Sequence, residues 1–147
     1  MEKKFVWFLV FVLLTSLAFQ VIFSMKTKSP TCDEFYHHIA NGYTYLLTRD
    51  FRMNPASPPL PRMLAGIPLY FLNAKAPLDH WSWAEGDSPE FARQFFCVYN
   101  QDIDKLVFWA RMPIVLLSIL FGLTVFNYSR KLFGGAAGLI SLLLYSF

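Results

Sequence analysis

Phe5–Met25 reads FVWFLVFVLLTSLAFQVIFSM, 21 residues without a charge. At about 1.5 Å of rise per residue, a helix of this length is about 31 Å long, the thickness of a bilayer's hydrocarbon core. Lys3 and Lys4 stand before it, as in a secretory signal. The run exceeds the roughly 7–15 apolar residues of a signal's core. Residues 5–25 are therefore expected to be a retained transmembrane helix.

The rest of the composition agrees. Apolar residues make up 55% of the 147 and charged residues 16%, against roughly 25% charged in an ordinary soluble domain. A second apolar run covers 106–129, with Arg111 near its start, and a third begins at Leu132 and is still apolar at Phe147. The expected fold is an all-α polytopic membrane protein with two spans and the start of a third at 132–147. A third run that stops there points to the N-terminal part of a longer protein. Glu2-Lys3-Lys4 before the first span and Arg130-Lys131 after the second put both ends in the cytoplasm by the positive-inside rule. Residues 26–105 then form an extracytoplasmic loop. The net charge of +3 sums over two compartments, so it carries no nucleic-acid inference. The loop's Cys32 and Cys97 lie where disulfides form, but two cysteines do not choose between a bridge and two buried small side chains.

The loop has helical patterning. Over 33–48, Phe35, Tyr36, Ile39, Ala40, Tyr43, Leu46 and Leu47 fall on one arc, and Asp33, Glu34, His37, His38, Asn41 and Thr44 on the other. This predicts an amphipathic helix along the membrane interface, its polar arc toward water or a cavity. Asn54-Pro55 and Pro58-Pro59 break it from a second apolar helix at about 60–72, which is too short to span and is made irregular by Gly66 and Pro68. Ser88-Pro89-Glu90 predicts a short helix over about 89–99 with Ser88 as N-cap, and Asp102 is placed to cap the second span. Trp81 and Trp83 suit an interfacial belt, simple packing or a sugar platform. Gly134-Gly135 predicts a tight cytoplasmic turn. No phosphate-binding glycine loop is present.

Ser29–His38, SPTCDEFYHH, concentrates the polar chemistry. Thr31-x-x-Glu34 is a capping box, which explains Glu34 and leaves Asp33 over. Glu34-x-x-His37 has the spacing of di-iron bundles, but the second such motif and further carboxylates are missing, and H-E-x-x-H is absent. No metal is expected.

Read as a whole, several short motifs in fixed order resemble the protein O-mannosyltransferase-like superfamily, membrane glycosyltransferases of the type C fold. They are Asp33-Glu34, His38-Ile39-Ala40-Asn41-Gly42-Tyr43, Asp50-Phe51-Arg52-Met53-Asn54-Pro55 and Pro58-Pro59-Leu60. Ala110-Arg111-Met112-Pro113 and Arg130-Lys131-Leu132-Phe133-Gly134 extend the match. The resemblance implies a polyprenyl-phosphate sugar as donor, no cofactor, and a glycan, lipid or protein acceptor outside the cytoplasm. It is strongest to bacterial members, which implies the cytoplasmic membrane with the site on its outer face. It implies Asp33 as the base that deprotonates the acceptor, inversion at the anomeric carbon, and Glu34 beside it as an orienting group. Relatives often carry a His or Lys where this chain has Ser57, which puts one phosphate contact in doubt. Arg62 or Arg52 would replace it, while Arg62 also suits a snorkelling residue. Arg111 is a further candidate for the donor phosphate, and His37 and His38 for the walls of the site. The family's later helices are missing from this sequence, so the chain by itself is expected to be inactive. The other reading kept from the sequence is a non-catalytic or transporter-like membrane protein.

Overall fold

The computed structural model describes residues 3–147, with the Lys3 side chain excepted. Glu2 and the Lys3 side chain, which entered the orientation argument, lie outside the described residues. Their regular structure is helical, with no strand among the described residues. The helices are α1 (Lys3–Thr27), α2 (Ala40–Thr48), α3 (Pro59–Phe71), α4 (Trp81–Glu85), α5 (Ser88–Gln94), α6 (Ile103–Phe133) and α7 (Gly135–Ser146). A π-helical turn, Glu34–Ile39, leads into α2, and a second, Phe95–Tyr99, continues α5. Among the described residues α1 and α6 are long and apolar enough to cross a membrane. At 1.5 Å per residue α6 is about 46 Å long, well beyond a hydrocarbon core.

The chain divides into two compact units. One comprises 1–27 and 115–147. Its core is Val6, Val10, Phe126 and Leu142, fully or nearly buried. Trp7 meets Phe126 edge-on at 5.6 Å, and Arg130 lies over the Trp7 ring. Phe5, Phe8, Phe11, Phe19 and Phe23 point outward. Water penalises such a surface and a lipid solvent does not. Gly134 separates α6 from α7 with φ at 90°, and it alone makes the turn expected of Gly134-Gly135.

The other unit, 28–114, is built round an aromatic core of Phe91, Phe95 and Phe96, with Tyr43, Tyr45 and Leu69. Phe35 stacks on Phe96 with centroids 4.5 Å apart. The closest helix crossing is α2 on α3. Gly42 and Gly66 face each other there, backbone to backbone. A Cβ on Gly42 would stand 2.0 Å from the Arg62 carbonyl oxygen, and one on Gly66 2.8 Å from the Gly42 carbonyl. Only residues without side chains allow this approach.

Three expectations are corrected. The 33–48 segment is not a two-faced surface helix: Asn41 and Thr44, assigned to its polar arc, are fully buried, while Tyr36 and Leu47 of the apolar arc are exposed. The cause is the π-helical turn, whose i→i+5 bonding takes an extra residue and moves everything after it round the axis. The cap of α5 is Asp87, whose Oδ1 accepts from the Glu90 amide at 3.0 Å; Ser88 lies inside the helix and is turned to other work. Cys32 and Cys97 are neither bridged nor buried; both are free and exposed. Asp102 does serve as the cap expected of it, accepting from the Lys105 amide at 3.1 Å.

Candidate functional site

A cavity of about 540 Å³ opens within the second unit, between the start of the π-helical turn, α3 and the first turns of α6. Its polar wall is Thr31, Glu34, His38, Ser57, Arg62 and Arg111. Its apolar wall is Ile39, Pro58, Pro61, Ala65, Ala110 and Ile114.

The local sequence explains how these side chains arrive. The capping box forms at the helix start: the Glu34 amide donates to Thr31 Oγ1, and the Thr31 amide to Glu34 Oε2, both at 3.3 Å. Glu34 has a second task that spacing along the chain does not reveal. Arg111 grips it with Nε on Oε1 and Nη2 on Oε2, each at 2.7 Å. This is the paired geometry that makes arginine–carboxylate contacts strong. Arg111 also donates to the carbonyls of Lys28 and Ser29. Glu34 and Arg111 thus form a clamp from the chain entering the turn to α6. The sequence signal was the need for a partner at an arginine inside an apolar run. Which of the distant carboxylates met that need could not be read 77 residues away.

Arg62 is the unusual group. It is only 3% exposed, and no carboxylate pairs with it among the described residues. Its partners are neutral. Nε donates to His38 Nδ1 at 3.1 Å, and Nη1 donates to the Asn54 carbonyl at 3.1 Å and to Tyr45 Oη at 3.4 Å. Nη2, with two N–H groups, makes no hydrogen bond among the described residues. Burying a guanidinium without a countercharge costs several kcal/mol, roughly what a bound anion would return. The close α2–α3 crossing fixes Arg62, because its own carbonyl packs on Gly42.

His38 is drawn below the ordinary imidazole range first by burial and then by Arg62, with Asp33 and Glu34 opposing. With Glu34 neutralised by Arg111 and His38 neutral, the cavity carries one net positive charge, that of Arg62.

The remaining candidates are placed as follows. Asp33 is exposed, beside the wall residue Glu34 but not itself in the wall, and among the described residues no hydrogen bond or ion pair holds its carboxylate. His37 turns away: its Nδ1 meets Ser88 Oγ at 3.2 Å. Ser88 donates to the Tyr36 carbonyl and accepts from Asn41 Nδ2 at 2.7 Å, so this network pins α5 to the turn. Arg52 is not in the wall either. It is held by Asp50, with its guanidinium 5.1 Å above the Trp83 ring. Trp83 also packs on Phe91, whereas Trp81 is half exposed beside His80. Sequence reasoning missed Tyr45 and Asn54, the neutral acceptors that seat Arg62; a tyrosine at helical spacing gives no such signal. Among the described residues no cluster of His, Cys, Asp and Glu could hold a metal ion.

The fold and site define an all-helical protein with two candidate membrane spans and a cavity that joins one uncompensated buried cation to an apolar wall. No family model, curated protein or solved structure matches the chain.

Proposed function

We propose that this chain is part of a membrane glycosyltransferase that moves a sugar from a polyprenyl-phosphate carrier to an acceptor outside the cytoplasm. The observation that carries the reading is Arg62, buried in a wall that is otherwise half apolar, with two N–H groups unused. A polyprenyl phosphodiester has the matching pair of chemistries, one negative charge and a hydrocarbon tail. Motif order supplies the rest of the reading: the Asp33-Glu34 pair, the Asn-Pro and Pro-Pro breaks and the basic turn resemble the O-mannosyltransferase-like superfamily.

In this reading the acceptor hydroxyl gives its proton to the Asp33 carboxylate. Its oxygen attacks the anomeric carbon from the face opposite the phosphate, and the configuration inverts. The bond from that carbon to the phosphate oxygen breaks, and its electron pair leaves on the phosphate. Arg62 Nη2 offers two donors to the charge that develops, the arrangement that contributes most in a site closed to water. Glu34 serves by position: clamped by Arg111, it holds the turn that carries Asp33. Asp33 has no such partner, which is what a base needs.

A photoreactive polyprenyl phosphate tests the site. It should label residues of the cavity wall, and unlabelled polyprenyl phosphate should compete while free sugar should not. Labelling spread evenly over α1 and α6, with no competition, would show mere partition into lipid and defeat the proposal.

A further inference from the structure

Arg62 fixes the protonation state of His38. Nδ1 accepts the Arg62 Nε–H at 3.1 Å, so it carries no proton, and the neutral ring holds its proton on Nε2. His37, the next residue, is the reverse case. The Ser88 hydroxyl is donated to the Tyr36 carbonyl at 2.6 Å, so at the 3.2 Å contact the His37 Nδ1 must donate. Two neighbouring histidines of one turn thus hold their Nδ1 atoms in opposite roles, donor in His37 and acceptor in His38, and only His38 lines the cavity.

The charges around His38 can be followed element by element. Its own turn carries Asp33, Glu34 and His37. The first two favour a proton on His38 and the third opposes one. From α3 comes Arg62, which opposes it more strongly than any other charge. From α6 comes Arg111, already clamped to Glu34. On α5, Glu90 and Arg93 pair with each other and Asp87 caps its helix. No charged residue occurs in α2. Two charges beside His38 are therefore left unmatched, Arg62, which opposes a proton, and Asp33, which favours one less strongly.

We infer that filling this cavity with a phosphodiester is coupled to proton uptake by His38. The inference rests on the reading of the cavity as a phosphate site. An anion on Arg62 Nη2 cancels the repulsion that keeps the ring neutral and adds an attraction for a proton. Once protonated, His38 no longer accepts from Arg62, and one hydrogen bond to a neutral acceptor is lost. Both Arg62 Nε–H and the new His38 Nδ1–H then have the anion to donate to, and charge-assisted bonds are the stronger kind. The bound state holds more protons than the empty one, so affinity rises as pH falls. The same proton has a use in group transfer. When the sugar leaves, the carrier phosphate gains a second negative charge; His38 passes its proton to that oxygen and returns to neutral imidazole.

The test is calorimetry of the full chain in detergent with a short-chain prenyl phosphodiester, whose single charge is constant across the range used. Heats in buffers of different ionisation enthalpy count the protons taken up. Wild type should take up a proton at pH values where the empty site holds His38 neutral, with affinity rising by up to about tenfold per pH unit as pH falls. His38→Asn keeps an acceptor oxygen for Arg62 and cannot titrate. It should bind with no proton uptake and a flat pH profile. Binding by wild type without uptake, or the same uptake in His38→Asn, overturns the inference alone. No binding by wild type, or undiminished binding by Arg62→Gln, overturns the phosphate reading and this inference with it.

Discussion

Gly42→Ala is the smallest change that should dismantle the site. The added methyl would stand 2.0 Å from the Arg62 carbonyl oxygen and 2.4 Å from its carbon. Both are backbone atoms, so no rotamer change relieves the clash. Ordinary carbon–oxygen contact needs more than 3 Å, so α3 must retreat by about 1 Å or more along this line. Overpacking of this kind costs about 1–3 kcal/mol and sometimes more. Here the upper end applies, because a backbone crossing must open rather than a side chain turn. Alanine's better helix propensity returns about 1 kcal/mol at most. The net loss is about 2 kcal/mol, which for a unit of this size lowers the melting temperature by about 8–16 °C. Arg62 moves with α3, so its bonds to His38, Tyr45 and Asn54 loosen as well. Gly66→Ala meets the Gly42 carbonyl carbon and oxygen at 2.8 Å and should be the milder of the two. Thermal unfolding of the purified chain in detergent reads both. A Gly42→Ala protein as stable as wild type, with unchanged anion binding, would refute the close-crossing argument.

The Glu34–Arg111 clamp can be separated from the capping box. Glutamine still completes the box, so Glu34→Gln isolates the ion pair and should cost about 2 kcal/mol, against about 1 kcal/mol for Thr31→Ala. A double-mutant cycle with Arg111→Gln should show coupling above about 1 kcal/mol, and additive losses would dismiss the clamp. In α5, two nitrogens of Arg93 and one of Gln94 hold the Glu90 carboxyl down at about 2. A lowered carboxylate supports the fold above its unfolded value near 4.5, and that support is lost as pH falls toward about 2. The Arg93 side of the pair is exposed and Glu90 is partly so, which keeps the effect small and local. Amide exchange in α5 should quicken over that window in wild type, and Glu90→Gln should show the quickened rate already at neutral pH.

The long helices were legible because length and composition alone decide them. Twenty-one uncharged residues leave few alternatives, and α1 runs only slightly past them at each end. The capping box was legible because it is local. The phase of the 34–48 segment was not. A strict 3.6-residue period cannot anticipate an i→i+5 turn, so Asn41 and Thr44 were put on the wrong face while Ile39 and Tyr43 stayed on the buried one. Ser88 looked like a cap because serine commonly is one. Asp87 one residue earlier made the bond, and Ser88 was left to join His37, Asn41 and the Tyr36 carbonyl. For the site, motif and resemblance named Glu34, His38, Arg62 and Arg111, all of which line one cavity, and Asp33, which does not. They named Arg52 and His37 as well, and these are occupied elsewhere. The difference is tertiary. Arg52 sits two residues from an aspartate and closes a local ring with it, whereas Arg62 is carried inward by a glycine crossing that no motif announces.

The proposed sugar transfer from a lipid phosphate, with Asp33 as base, is tested most directly by release of labelled sugar from polyprenyl-phosphate donors by the protein in membranes, wild type against Asp33→Asn. The expected product has inverted anomeric configuration. The expected rate in Asp33→Asn is lower by about 10²–10⁴, the range for loss of a general base, at unchanged expression and donor binding. Transfer by Asp33→Asn at the wild-type rate, or a product with the donor's configuration retained, would contradict it.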